Sequence, residues 1–243
     1  WNHKPGQDLL VQSLSGLTYT TGSYDDAPTR VGLGIGDYLC GNQAVQFIIA
    51  ALIKAKKTGK GSLLQLSLLE TLIDFQFEFF TTFFQSEKVP QRAAFNNANP
   101  LLSAPYGIYK TADGYLAIAM MPLAKLNQAL QCEALYVYSE DDAFSKRDEI
   151  KNIIAQHLLT ESNQYWLQKA TALDLWIMPV LNWNEMISSG GYQVLDMEQK
   201  INLNKNKSFI TTRCPIRINN KILKSAKSAP QIGESNINIK ASL

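Results

Sequence analysis

With 243 residues, 46% hydrophobic and 18% charged, the chain has an ordinary globular composition and length for one large domain or two modest ones. That is enough chain to bury a core of useful size. The formal net charge of +2 is too small to point to nucleic acid or an anionic membrane as partner.

The chain opens on Trp1-Asn2-His3-Lys4-Pro5-Gly6 without an initiator Met and reads as the interior of a protein, so an N-terminal portion is expected to precede it. After the Pro5-Gly6 turn comes an apolar segment with Leu9, Leu10, Val11, Leu14 and Leu17, then a Gly/Thr/Asp/Pro-rich loop over 22–36. Asp37 opens a helical pattern in which Leu39, Val45, Ile48, Ile49, Leu52 and Ile53 recur at helical spacing. Lysines 54, 56 and 57 suit the negative end of its dipole, and Gly59 and Gly61 stop it. Leu63 to Leu66 reads as a short strand. Residues 68–85 read as one long helix with aromatic residues on nearly every face, a pattern that predicts burial against several neighbours.

A polar stretch with prolines at 90, 100 and 105 forms a linker or long loop. Residues 106–109 and 115–120, joined by Asp113-Gly114, read as a β-hairpin. Helices are expected near 123–131, 145–159 and 162–172, a short strand or turn at 178–181 and a short helix over 183–188. The polar last part carries strand-like pieces at 208–210 and 216–218. No apolar run reads as long enough to span a bilayer, and no signal peptide is evident.

Cys40, Cys132 and Cys214 are odd in number and widely spaced, which indicates neither a disulfide framework nor a zinc site and fits a reducing cytoplasm. Two histidines, His3 and His157, lie far apart and give no support to a Ser-His-Asp or Cys-His engine. Lysines cluster at 54, 56, 57 and 60 and again at 205, 207, 221, 224 and 227. A solvated basic face is the favoured reading of each cluster, and contact with the phosphates of an anionic cofactor is the functional one.

The segment Gly32-Leu33-Gly34-Ile35-Gly36-Asp37 leads into a helix but fits no phosphate-loop template: its third glycine comes one residue early for a dinucleotide fingerprint. Thr58-Gly59-Lys60-Gly61-Ser62 likewise lacks the glycine that a P-loop needs. What remains is an aspartate at a helix start after three glycines. On spacing alone it reads best as an N-cap. The other reading is a nucleophilic carboxylate, with glycines admitting a substrate and helix N–H groups steadying an oxyanion.

Ordered blocks bear on that choice. Pro5-Gly6-Gln7-Asp8-Leu9-Leu10-Val11-Gln12 with Ser15-Gly16-Leu17 resembles a stretch of the family III CoA-transferases, and Val31-Gly32 through Gly36-Asp37, with Gly41, is similar to their active-site segment. Ala50-Ala51-Leu52, Thr58 to Gly61 and Leu66-Ser67-Leu68-Leu69-Glu70 follow the same family pattern. So do Ala104-Pro105-Tyr106-Gly107, Asp113-Gly114-Tyr115, Pro179-Val180 and Ala229-Pro230 with Ile232-Gly233-Glu234. The resemblance covers nearly the whole chain.

It implies an α/β fold in which a large Rossmann-like domain, incomplete here, holds residues 1–95 and 190–243, and a smaller α+β domain spans 96–189. It implies transfer of coenzyme A between an acyl-CoA and a carboxylic acid, with Asp37 attacking the thioester to form an acyl-aspartyl anhydride and then an aspartyl-CoA thioester. Coenzyme A is substrate, and no metal is implied. Gln7, Asp8, Gly36, Tyr38, Asn97 and Asn99 fall on the substrate and CoA surface, although for Asp8 a turn or capping carboxylate is an equal reading. The family's α-methylacyl-CoA racemases pair the same aspartate with a histidine that aligns with Gln7. A glutamine cannot serve as general base near neutral pH, so the racemase alternative is disfavoured. The loop corresponding to a Gly-rich lid of some relatives, 96–100, has no glycine. The family's N-terminal half, which holds much of the CoA nucleotide, has no counterpart here, which leaves a catalytically incomplete fragment with a structural role as a further alternative. Full-length relatives form interlocked homodimers.

Overall fold

The computed structural model describes residues 3–204 and 207–236. They divide between two compact units, Trp1–Val180 and Leu181–Leu243.

The first apolar segment folds as a short helix, α1 (Asp8–Leu14), and ends where Gly16 takes φ +83, a left-handed conformation that costs glycine little. An irregular loop then leads to the 24-residue helix α2 (Ile35–Thr58). The helix begins two residues before Asp37, with Gly34 at its N-cap, so Asp37 sits inside the first turn and does not open it. Lys56 and Lys57 occupy the last turn and Gly59, at φ +68, closes it in the left-handed cap that glycine favours. Contrary to the expectation that no run is long enough to span a bilayer, α2 is by length and composition long and apolar enough to cross a membrane, a property that core helices of soluble proteins share. Phe47, Ile49, Leu52 and Ile53 on it are exposed in this chain.

The strand expected at 63–66 is irregular chain: among the described residues no strand runs beside it to supply a ladder. The single helix expected over 68–85 is two, α3 (Leu68–Phe75) and α4 (Phe77–Ser86), parted at Gln76. Ser67 caps α3 by accepting the Glu70 N–H at 3.1 Å. The predicted burial of this stretch also fails: Leu72 is fully buried, but Phe75, Phe77, Phe83 and Phe84 are exposed.

β1 (Gly107–Lys110) and β2 (Tyr115–Ile118) form the expected antiparallel hairpin, and β3 (Ile177–Pro179) joins antiparallel to β2. α5 (Leu123–Leu130), α6 (Asp142–Ser145), α7 (Arg147–Leu158) and α8 (Asn163–Ala172) accompany this sheet. Tyr109, Leu116 and Ile118 from the strands and Leu126, Ile150, Ile154, Leu158 and Trp166 from the helices build the larger core of the first unit. Tyr109 is wholly buried, and its hydroxyl donates to the Pro105 carbonyl at 2.6 Å, which satisfies the polar end of an otherwise apolar side chain.

A smaller core joins Val11 of α1, Leu17 and Leu72 of α3, with Val31, Ile35 and Leu39 packed against it. This cluster positions the start of α2. The second unit holds α9 (Trp183–Ser188), α10 (Gly190–Leu195) and two antiparallel pairs, β4 (Glu198–Asn204) with β5 (Lys207–Thr212) and β6 (Arg217–Ile218) with β7 (Lys221–Ile222).

Candidate active site

A helix start leaves its first N–H groups without partners inside the helix. Gly34, at the N-cap of α2, has no side chain with which to accept them. Asp8 does so from another helix: its Oδ1 accepts the Gly36 N–H at 2.9 Å. Asp8 is buried and its charge lies at the positive end of α2. Its other oxygen, Oδ2, accepts from Gln12 Nε2 at 2.7 Å and lies 3.6 Å from the Arg30 guanidinium.

Gln12 is also fully buried, one helical turn beyond Asp8 on the same face of α1. Its Nε2 donates to the Leu33 carbonyl at 3.1 Å, and its Oε1 accepts the Val31 N–H at 3.0 Å. Arg30 braces the same carbonyls from outside, Nε to Val31 and Nη2 to Leu33, both at 3.1 Å. Gly36 admits no side chain without displacement, because a Cβ would lie 3.1 Å from Asp8 Oδ1 and 3.3 Å from Leu72 Cδ1.

Asp37 is left over from this network. Its side chain is exposed and, among the described residues, takes part in no hydrogen bond or ion pair. One carboxylate oxygen would be 3.6 Å from a Cβ at Gly34, an ordinary contact distance. Tyr38, next along, is 73% exposed. The arrangement presents a free carboxylate at the first turn of a long helix, held on a buttressed loop.

Of the other expected site residues, Gln7 is the N-cap residue of α1, exposed, and its side chain caps nothing. Asn97 ties its loop to the one at Gly22, donating to Gly22 O at 2.8 Å and accepting from Ala93 N at 3.1 Å, while Asn99 accepts from Leu101 N at 2.9 Å within its own loop. Both line a cleft of about 220 Å³ with Thr20, Thr21, Gly22 and Phe79, in which Asp37 takes no part. Structure thus brings Asp8, Gly36, Asp37 and Tyr38 together and places the two asparagines elsewhere. Among the lysine clusters, Lys205 lies outside the described residues and Lys224 is paired with Asp196 at 2.7 Å. Gln12 and Arg30 join the expected residues at this site; the sequence signal for Gln12 is its i, i+4 spacing from Asp8 within a largely apolar helix.

The profile of CoA-transferase family III matches residues 1–236. The chain belongs to that family. It is 24% identical to a succinate–glutarate CoA-transferase of Agrobacterium fabrum over 98% of this chain and 60% of that protein. It is 30% identical to the succinyl-CoA:glutarate CoA-transferase of Mus musculus over 48% of this chain and 26% of that protein. The family III fold is shared with the crystal structure of a CAIB/BAIF family protein from Brucella suis, with TM-score 0.76 and 20% identity over 98% of this chain and 63% of that one. This family III chain spans about three fifths of the length of the relatives that it matches end to end.

Proposed function

We propose that this chain carries the nucleophile of a transferase that moves coenzyme A from an acyl-CoA to a carboxylic acid, with Asp37 as that nucleophile. A carboxylate is a weak nucleophile until it is oriented, and the mixed anhydride it forms is reactive enough to pass the acyl group on. Asp37 Oδ attacks the thioester carbonyl, the C–S bond breaks, and CoA leaves as thiolate. The thiolate then attacks the Asp37 side-chain carbonyl, the donor carboxylate departs, and an aspartyl-CoA thioester remains. The acceptor carboxylate attacks that thioester and expels CoA thiolate once more. Attack of the thiolate on the acceptor's acyl carbon yields the new acyl-CoA and restores the Asp37 carboxylate. Each step exchanges one acyl bond for another, so no oxidant, metal or net proton is required.

One observation carries the reading. Asp8 already caps the Gly36 N–H, so the carboxylate of Asp37 is not consumed as a cap and stays free at the first turn of α2. In that first turn the N–H groups of Ile35, Gly36 and Tyr38 are engaged by Leu33 O, Asp8 Oδ1 and Gly34 O, so the N–H of Asp37 itself is the donor on offer to a developing oxyanion. Gln7 offers no base with which to move an α-proton, which supports transfer over racemisation. A reducing cytoplasmic setting fits the three free cysteines.

The names of the relatives make succinyl-CoA and glutarate the pair to try first. For the protein expressed from its complete reading frame, glutaryl-CoA formation is expected and Asp37→Asn is expected to lower it at least about a thousandfold. Transfer that persists in Asp37→Asn would remove Asp37 from the chemistry.

A further inference from the structure

Asp8 and Gln12 touch no reacting atom in the scheme above, yet both are buried and both spend their polar groups on the loop that delivers Asp37. We propose that this pair is a latch: α1 grips the loop at Val31 and Leu33 through Gln12 and at Gly36 through Asp8, and the grip sets the direction of the Asp37 carboxylate. The proposal rests on Asp37 being the nucleophile.

Three observations support a latch over a mere buried polar pair. The bonds reach across the chain: Asp8 to Gly36 spans 28 residues and Gln12 to Leu33 spans 21. They fall on both sides of Gly34, so the turn that carries Asp37 is held at entry and exit. The α1 helix is itself anchored, since the Ser15 hydroxyl donates to the Gln12 carbonyl at 3.0 Å and Gln76 Nε2 donates to the Ser15 carbonyl at 3.1 Å. A misplacement of about 1 Å at a reacting group can cost on the order of a hundredfold in rate. Val31 and Ile35 give this loop some apolar packing, but the glycines at 32, 34 and 36 between them add none. Asp8 and Gln12 are therefore positioning residues, and Asp8 has the further effect of relieving Asp37 of the capping role.

The test uses Asp8→Asn and Gln12→Met, which roughly keep side-chain volume, and Arg30→Ala, which loosens the exposed brace alone. Each is checked for a folded state at the assay temperature by a circular dichroism spectrum that matches wild type. Two quantities are then read: the single-turnover rate of Asp37 acylation by succinyl-CoA, and hydrogen exchange at the Gly36 amide by NMR. With the latch, both buried-site variants lower the acylation rate at saturating succinyl-CoA on the order of a hundredfold. The half-saturating concentration stays unchanged, and Gly36 exchange quickens about severalfold in Asp8→Asn, where a single side-chain oxygen must serve both the Gly36 N–H and Gln12 Nε2. Arg30→Ala produces a smaller loss of the same kind. Normal acylation in the variants beside a normal wild-type adduct overturns the positioning role alone. Absence of any wild-type adduct at Asp37 overturns the nucleophile and the positioning role with it. Loss of affinity at an unchanged maximal rate assigns the pair to substrate binding and also overturns the latch.

Discussion

Gly36 and Asp37 are neighbours with opposite constraints. The glycine is closed in by Asp8 and Leu72, while the aspartate stands in solvent without a partner among the described residues. From sequence, an aspartate after glycines at a helix start reads first as a cap, because Asp is a leading cap residue. The N-cap of the helix is Gly34, ahead of Asp37 in the chain. The capping carboxylate is Asp8, and sequence spacing could not reveal it because the bond is made across the fold. Lys151 was equally illegible: it sits on the core-facing side of α7, fully buried, with Nζ 3.3 Å from the Asn96 carbonyl. Burial and the nearby Arg147 charge lower its pKa from the usual 10.5 to about 8, with Asp148 opposing. The folded protein therefore releases this proton before the unfolded chain does. Burying the charged form costs stability below pH 8, and that cost is relieved as pH rises from about 8 towards 10.5. Urea unfolding over that range is expected to show wild type gaining stability relative to Lys151→Met. A difference that stays flat with pH would contradict the assignment.

At the scale of elements, legibility followed periodicity. The β1–β2 hairpin alternates buried and exposed residues about an Asp113-Gly114 turn, and both signals are local. The long aromatic stretch was misread because glutamine is an unremarkable helix former. Gln76 nevertheless breaks the helix. Its backbone N–H turns to the Ile73 carbonyl at 3.0 Å, and its side chain takes over the Leu72 carbonyl at 2.8 Å together with that of Ser15 at 3.1 Å. A side chain has replaced a backbone donor, and in doing so ties α3 to the end of α1. Gln76→Leu is expected to lower stability by about 1–3 kcal/mol in chemical denaturation, because two buried carbonyls lose this donor. An unchanged midpoint would show that the break does not depend on that side chain. The start of α2 was off by two residues, since Ile35 and Gly36 lie within a glycine-rich loop by composition.

At the scale of the whole molecule, the larger core of the first unit lies with the β1–β3 sheet, whereas the region around Asp37 rests on three fully or nearly buried apolar residues and a polar network. The buried polar residues of the motif from Pro5 to Leu17, Asp8, Gln12 and Ser15, join a hydrogen-bond network that reaches the start of α2 beside that apolar cluster. Family membership was legible because these blocks recur in order along the chain; the geometry within them was not. Exposed apolar residues on α2 and α4, such as Leu52 and Phe84, belong to a chain that spans about three fifths of the length of its end-to-end relatives. With Asp37 as the proposed nucleophile, a covalent acyl intermediate is expected on its carboxylate. Incubation with succinyl-CoA followed by hydroxylamine, then peptide mass spectrometry, reads it directly. A hydroxamate on Asp37, absent when succinyl-CoA is omitted, is the predicted result; succinyl-CoA turnover with Asp37 unmodified would contradict it.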